Sequence, residues 1–355
     1  MVVPGSMPSM MRSLLNGFFL ALRMVEKKSG RSFYKGISLC IKTLIVLASC
    51  WYIYTKVFHR SDWHQLKTEF LNSIHEGGSL LFTVVCVLMP LNWMLESHKW
   101  KLLIAPLEKL TLFASFKAVL SGIAVSTVTP NRAGEFAGRV FFLKTNEKLR
   151  ASYLTFAGSG LQVFTTILMA ALAFILFIKL GLNELYDPAE KYDGLVRVTG
   201  VLGLLSLVLS CILILLIPFF LRGVKTSKRK WIAALEELNG ISKRKLFRIF
   251  LISIIRYLVF FFQFYFLLLL FNTGVSFKDA MILIPLTFFA ITVVPSVAFS
   301  EIGLRGAAAL LLFDTVSENS IGIVAAATLL WFINVAIPAL AGCFFVFQLK
   351  FFRNE

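Results

Sequence analysis

The sequence predicts an all-α polytopic membrane protein, with six spanning helices and two re-entrant helical hairpins arranged as an inverted repeat. Three observations lead there. Of 355 residues, 58% are hydrophobic, against about 45–50% in a soluble domain, and mean hydropathy is +0.80. Apolar runs of ~20 residues, enough to cross the hydrocarbon core, recur along the chain. Two further apolar runs are broken by a Pro and a short polar segment, and loop charge puts both ends of each broken run on one side of the membrane.

Segment 1–35 carries Arg12, Arg23, Lys27, Lys28, Arg31 and Lys35, so it is expected in the cytoplasm. Its apolar part is too short to span, and no small-residue cleavage site follows it. Over 10–28, Leu14, Leu15, Phe18, Leu22 and Val25 share one helical face, which predicts an amphipathic helix lying on the membrane. The first span is 36–58. Loop 59–78 sets Arg60 and Lys67 against Asp62, Glu69 and Glu76, so it is expected outside. His59, His64 and His75 share that loop, but their spacing fits no ligand motif and no metal is expected. The second span, 79–96, returns the chain to a loop with Lys99, Lys101 and Lys109. Lys144, Lys148 and Arg150 also belong inside. One crossing cannot join two inside loops. Residues 112–143 are therefore expected to form a hairpin that enters, turns near Pro130 and comes back. Span 153–178 completes a first repeat, 36–179.

The second repeat, 196–350, has the opposite sign. Loop 181–195 holds Glu184, Asp187, Glu190 and Asp193 against Lys191, so it is outside. Span 196–221 leads to the basic loop 222–248, where many Lys and Arg oppose only Glu236 and Glu237. After span 249–271, loops 272–279 and 313–320 are poor in cations, so hairpin 280–313 opens to the outside. Span 321–347 brings the chain back to Lys350 and Arg353. Opposed repeats of this kind are the plan of many secondary transporters. The expected location is the cytoplasmic (inner) cell membrane, with both termini in the cytoplasm.

The net charge of +17 lies in short loops and reads as a topology determinant beside an anionic leaflet. It does not suggest nucleic acid, since no ordered basic and aromatic surface accompanies it. Cys40, Cys50, Cys86, Cys211 and Cys343 all fall in apolar runs, as small core residues do. No phosphate loop ending in Gly-Lys-Ser/Thr and no Ser-His-Asp cluster stands out. No cofactor is expected.

The two breaks carry the chemistry. The first continues Glu135-Phe136-Ala137-Gly138-Arg139 and the second Glu301-Ile302-Gly303-Leu304-Arg305. Each sets Arg one helical turn after Glu, on the same face. One reading is an internal salt bridge that holds the fold, since a charge at mid-membrane costs at least ~2.5–3.5 kcal/mol on insertion scales. The other is a site for an anionic headgroup, with half-helix N-termini facing it and Arg132, Arg139 and Arg305 forking onto phosphate. Arg256 lies inside span 249–271, one to two turns from its cytoplasmic end, so it either snorkels to the interface or, with Gln263 following on the same face, belongs to an inward polar stripe. Gln162 is a weaker candidate of the same kind. Lys42, Lys56, Lys117 and Lys179 read as anchors at helix ends.

The run Thr129-Pro130-Asn131-Arg132-Ala133-Gly134-Glu135 resembles the T-P-G-R-x-G-E signature of the lysylphosphatidylglycerol synthase membrane-region family, also called flippase-like. Glu301-Ile302-Gly303-Leu304-Arg305-Gly306 is similar to its looser second signature, G-x-G-x-R-E. The resemblance covers about 36–352. It implies a lipid-handling domain, with Pro130, Arg132, Gly134, Glu135, Gly303 and Arg305 as site residues. Asn131 replaces the usual Gly, Glu301 stands at the first Gly of the second motif, and Gly306 stands at its closing Glu. The family's soluble aminoacyltransferase domain has no counterpart up to Glu355, so lysyl-lipid synthesis by this chain is not expected. The expected activity is movement of a phospholipid or polyprenyl-phosphate lipid between leaflets. A membrane-embedded transferase acting on such a headgroup, or a scaffold for a partner enzyme, stays open as an alternative, and so does self-association.

Overall fold

The computed structural model describes residues 71–127, 129, 134–145, 147–184, 193–221, 242–294, 301–314 and 316–347, with single positions at 40, 43, 44, 47 and 68. Segment 1–35, nearly all of the expected span 36–58, most of loop 59–78 and most of the basic loop lie outside the described residues. Pro130, Asn131 and Arg132 also lie outside them, as does the side chain of Glu301.

Every described element is helical. A π-turn at Ile74–Gly78, with Gly77 at φ 100°, leads into α1, Ser79–Ile104. Only glycine takes that backbone conformation without strain. The pair α2, Leu112–Ser126, and α3, Gly134–Phe141, follows. Then come α4, Lys148–Glu184, α5, Asp193–Leu221, and α6, Lys243–Leu270. A second short pair is α7, Phe277–Val293, and α8, Glu301–Phe313. The last helix is α9, Ser320–Trp331, continued through a π-turn at Phe332–Ala336 into α10, Ile337–Val346. Side-chain caps start several of these. Thr111 accepts from Ala114 N at 3.1 Å, Ser276 from Asp279 N at 3.2 Å and Asn319 from Gly322 N at 2.8 Å, so each satisfies one of the free N–H groups of a first turn.

By length and composition Ser79–Ile104, Lys148–Lys179, Arg244–Leu270 and Ser320–Val346 can each cross a membrane. The short pairs differ. With 15 residues α2 is about 22 Å long, and with 8 residues α3 is about 12 Å long, at about 1.5 Å per residue. Neither matches the ~30 Å hydrocarbon thickness.

The packing has an internal correspondence. Helices α1 and α6 pack on each other. The pair α2–α3 packs through α2 on α1 and on α10, at the far end of the chain. The pair α7–α8 packs through α7 on α6 and on α4, which belongs to the other half. Likewise α3 touches α4 while α8 touches α9, and α1 touches α4 while α6 touches α9. Each short pair is thus held by the last long helix of the opposite half.

Glycines allow the tightest of these approaches. A Cβ on Gly138 would stand 2.6 Å from Gly122 Cα, and one on Gly342 would stand 2.0 Å from Leu120 O. Without a solvent-driven hydrophobic effect in lipid, van der Waals contact between closely approaching backbones is one of the forces that hold helices together.

The loops around each pair also meet. Glu108, before α2, accepts from Lys144 N at 2.8 Å and Thr145 N at 3.0 Å, after α3. Asn319, after α8, donates to Phe271 O at 2.8 Å, before α7.

One expectation is corrected. Loop charge puts Lys99 among the cations of a loop beginning at Glu96. Instead α1 runs on to Ile104, and Glu96 and Lys99 are both buried within it. The connection that leads to α2 is shorter than expected, with Lys101 in the last turn of α1 and Lys109 beyond it.

Candidate functional site

Helix α1 buries one stripe made of Val85, Asn92, Trp93, Glu96, Lys99, Trp100 and Leu103. The spacings of three and four are those of one helical face. In a water-soluble protein such a stripe would be apolar. Here it carries an amide, a carboxylate and an ammonium into the bundle, where an unpaired ion is costly.

Glu96 is the centre. Its carboxylate takes Lys99 Nζ at 2.7 Å and Arg139 Nη1 at 2.6 Å, and it pairs with Arg256 Nη1 as well. These partners come from α1 itself, from α3 and from α6, so one carboxylate joins three helices. Arg139 also pairs through Nη2 with Glu135, one turn earlier on α3. The Glu–Arg spacing read from the sequence therefore does form an ion pair on α3.

Amides extend the network. Asn92 Oδ1 accepts from Arg256 Nε at 2.9 Å. Its Nδ2 reaches Asn334 Oδ1 at a long 3.5 Å, inside the π-turn of the last helix. Gln162 on α4 accepts from Arg256 Nη1 at 3.2 Å and from Lys99 Nζ at 3.4 Å, and it donates to Ser253 O at 3.3 Å. The Arg256 guanidinium stacks 5.6 Å from the Trp93 ring centre. Among the described residues three cations and two carboxylates share the network, which leaves one positive charge in excess.

The buried donors are not all used. Arg139 Nε and Trp93 Nε1 have no hydrogen-bond partner among the described residues. Two further N–H groups could donate to an acceptor near the surplus charge.

The other expected residues fall as follows. Gly134 is buried, and its N–H donates to Thr129 Oγ1 at 2.8 Å. A Cβ there would stand 2.5 Å from Val125 O, which explains why the turn holds glycine. Gln263 is buried but donates to Val85 O at 3.0 Å, two turns from Arg256, so it fixes α6 to α1 and takes no part in the charged network. Gly303 is exposed with open space where a Cβ would be. Arg305 is half-buried on α8 and is not one of the Glu96 partners. Lys117 sits 4.6 Å from the Phe113 ring and 5.6 Å from the Phe345 ring, which fits an anchor stabilised by cation–π contact.

Sequence reasoning alone misses Asn92, Trp93, Glu96, Lys99 and Asn334. A usable signal exists in the first set, because Asn92, Glu96 and Lys99 recur at four and three residues. Reading charge as the end of a span hides that pattern.

The family model described as the lysylphosphatidylglycerol synthase TM region matches residues 39–342. That match extends over most of the chain. The chain belongs to this family. Neither the curated proteins nor the solved structures contain a significant match. Membership in the lysylphosphatidylglycerol synthase TM-region family, with the apolar helices above, makes this a multi-pass membrane protein of a lipid-related class.

Proposed function

We propose that this chain moves a phosphate-bearing lipid between membrane leaflets without changing it chemically. The observation that carries this reading is the Glu96-centred network, a cation-rich site buried among apolar helices and joined to α3. A lipid headgroup is polar and its tails are not, so a carrier must offer charge inside the bundle while leaving the tails in lipid. Arg139 and Arg256 supply donors that fork onto phosphate, and Glu96 and Glu135 balance their charge inside the bundle.

Two opposed re-entrant hairpins, α2–α3 and α7–α8, would give the site access to each side in turn. What supports them is their shortness, the hydrogen bonds that tie the leading and trailing loops of each pair, and the exchange of neighbours between the halves. In this reading the Glu301–Arg305 motif serves the second hairpin as Glu135–Arg139 serves the first. In this reading Pro130, Arg132, Gly134 and Gly303 belong to the headgroup site, and both termini lie on the cytoplasmic side of the cytoplasmic membrane. The charged headgroup itself could feel the membrane potential, worth ~2.3 kcal/mol per elementary charge per 100 mV.

The test uses purified protein in liposomes without ATP. Exchange of an anionic or zwitterionic lipid between leaflets should accelerate, and mass analysis should find the lipid unchanged. Replacing Arg132 and Arg139 together should slow the exchange. A covalently altered lipid with no exchange, over a panel that includes polyprenyl phosphates, would overturn this reading and favour a transferase.

A further inference from the structure

The transport reading names phosphate but leaves open which atoms receive it and what they hold beforehand. Arg139 answers both from its own geometry. Its side chain is 2% exposed. A guanidinium offers five N–H donors in fixed directions. At one end, Nη1 holds Glu96, which also carries Lys99 and Arg256 and is 4% exposed. Along one side, Nε and Nη2 lie next to each other and point the same way, forming a two-point fork. Only Nη2 of this fork is engaged, by Glu135 Oε1. The neighbouring Nε is buried and donates to no described residue.

The two carboxylates differ in their hold. Glu96 has three cationic partners from three helices and is shut away from solvent. Among the described residues Glu135 has one, and its side chain is 22% exposed. Releasing Glu96 would strand three buried cations. Releasing Glu135 would break one pair and leave only Arg139 to be satisfied by the incoming anion.

We infer that the Nε–Nη2 side of Arg139 is an exchangeable anion site, which Glu135 holds at one point and a phosphate group takes at two. Glu135 is the carboxylate that leaves, and Glu96 is the fixed counter-charge that keeps Arg139 in place during the exchange. A phosphate presents two oxygens at the spacing of the fork, so it makes the bond that Glu135 makes and also the one that Nε lacks. The site's surplus positive charge favours the same ligand. Two-point capture by phosphate and one-point retention by Glu135 give a reversible switch: the headgroup binds by displacing Glu135, and Glu135 displaces it on release. This rests on the transport reading of the same site and adds the order of events.

The experiment measures binding of two probes to detergent-solubilised full-length protein by calorimetry. The probes are inorganic phosphate and dihexanoyl-phosphatidylglycerol. Removing the competitor with Glu135→Gln should tighten binding by about tenfold, the scale of one charged hydrogen bond. The same variant should slow lipid exchange in liposomes, because release loses its driver. Arg139→Lys keeps the charge but loses the fork, and should weaken binding by about tenfold. Glu135→Asp, which keeps the charge and draws it back by one methylene, should fall between wild type and Glu135→Gln and gives the same reading if the Gln variant loses its fold. A thermal midpoint is taken for each protein. Affinity unchanged or weaker in both folded Glu135 variants overturns the inference, as does Arg139→Lys binding at full strength. Tight binding of phosphate with none of the short-chain lipid also overturns it, since the ligand would then be a free anion. If the binding pattern holds and no protein moves lipid, the exchange site stands and the transport reading falls.

Discussion

Arg139 on α3 and Glu96 on α1 are 43 positions apart, yet their Nη1 and Oε1 atoms meet at 2.6 Å with both side chains buried. The bond fixes the returning half of a short helical pair to a long helix. It also places the Glu135–Arg139 motif in the same network as Arg256 on α6.

Glu96 should be the most sensitive ionisable residue for stability. Glu96→Gln leaves Lys99, Arg139 and Arg256 without their common counter-charge. Breaking a buried ion pair by removing one partner typically costs about 3–5 kcal/mol. The thermal midpoint in detergent should drop sharply or the protein should fail to accumulate. Lys99→Met, which removes one of three cations from a cluster with positive charge to spare, should cost clearly less. Equal losses would mean that Glu96 is not the shared anchor.

Helix approach at Gly342 is testable by adding one carbon. The new Cβ of Gly342→Ala would meet the backbone oxygen of Leu120, which cannot swing aside as a side chain can. Overpacking of this kind costs about 1–3 kcal/mol, so α10 should separate from α2 and the midpoint should fall. Gly160 on α4 has open space where a Cβ would stand, so Gly160→Ala should be neutral or raise stability by roughly 0.4–1 kcal/mol. Thermal denaturation of both variants checks the contrast.

The proposed pair of opposed hairpins predicts which side each loop faces. A single cysteine at Asn146→Cys should react with a membrane-impermeant thiol reagent from the cytoplasmic side, and one at Glu318→Cys from the outside. Labelling of Asn146→Cys only from outside would turn α2–α3 into a net crossing and remove the opposed repeats.

Arg305 tests the second hairpin. If the two motifs serve opposite sides, Arg305→Ala should stop lipid exchange in liposomes while the folded protein accumulates near wild-type levels. A folded variant with a normal rate would leave Arg305 without a part in transport.

Membrane class, the broken segments and the Glu135–Arg139 pair were legible in the sequence, because each follows from short-range chemistry. Long apolar runs select helices in lipid, the polar stretches 129–135 and 295–301 interrupt those runs, and a four-residue spacing brings Glu and Arg together on one helical face. For Arg256 the sequence left two readings open, snorkelling near a span end or an inward stripe with Gln263, and the pairing with Glu96 decides for the inward one. The tertiary structure alone decided the partners. Glu96 reads as the end of a span until α3 and α6 bring two guanidiniums to it, and Lys99 reads as a loop cation until α1 continues past it. Gln263 shares a face with Arg256 and still bonds elsewhere, to Val85 O. Helical periodicity reports which face a residue occupies, whereas an ion pair between residues 43 or 160 positions apart depends on how whole helices cross, and no local pattern encodes that.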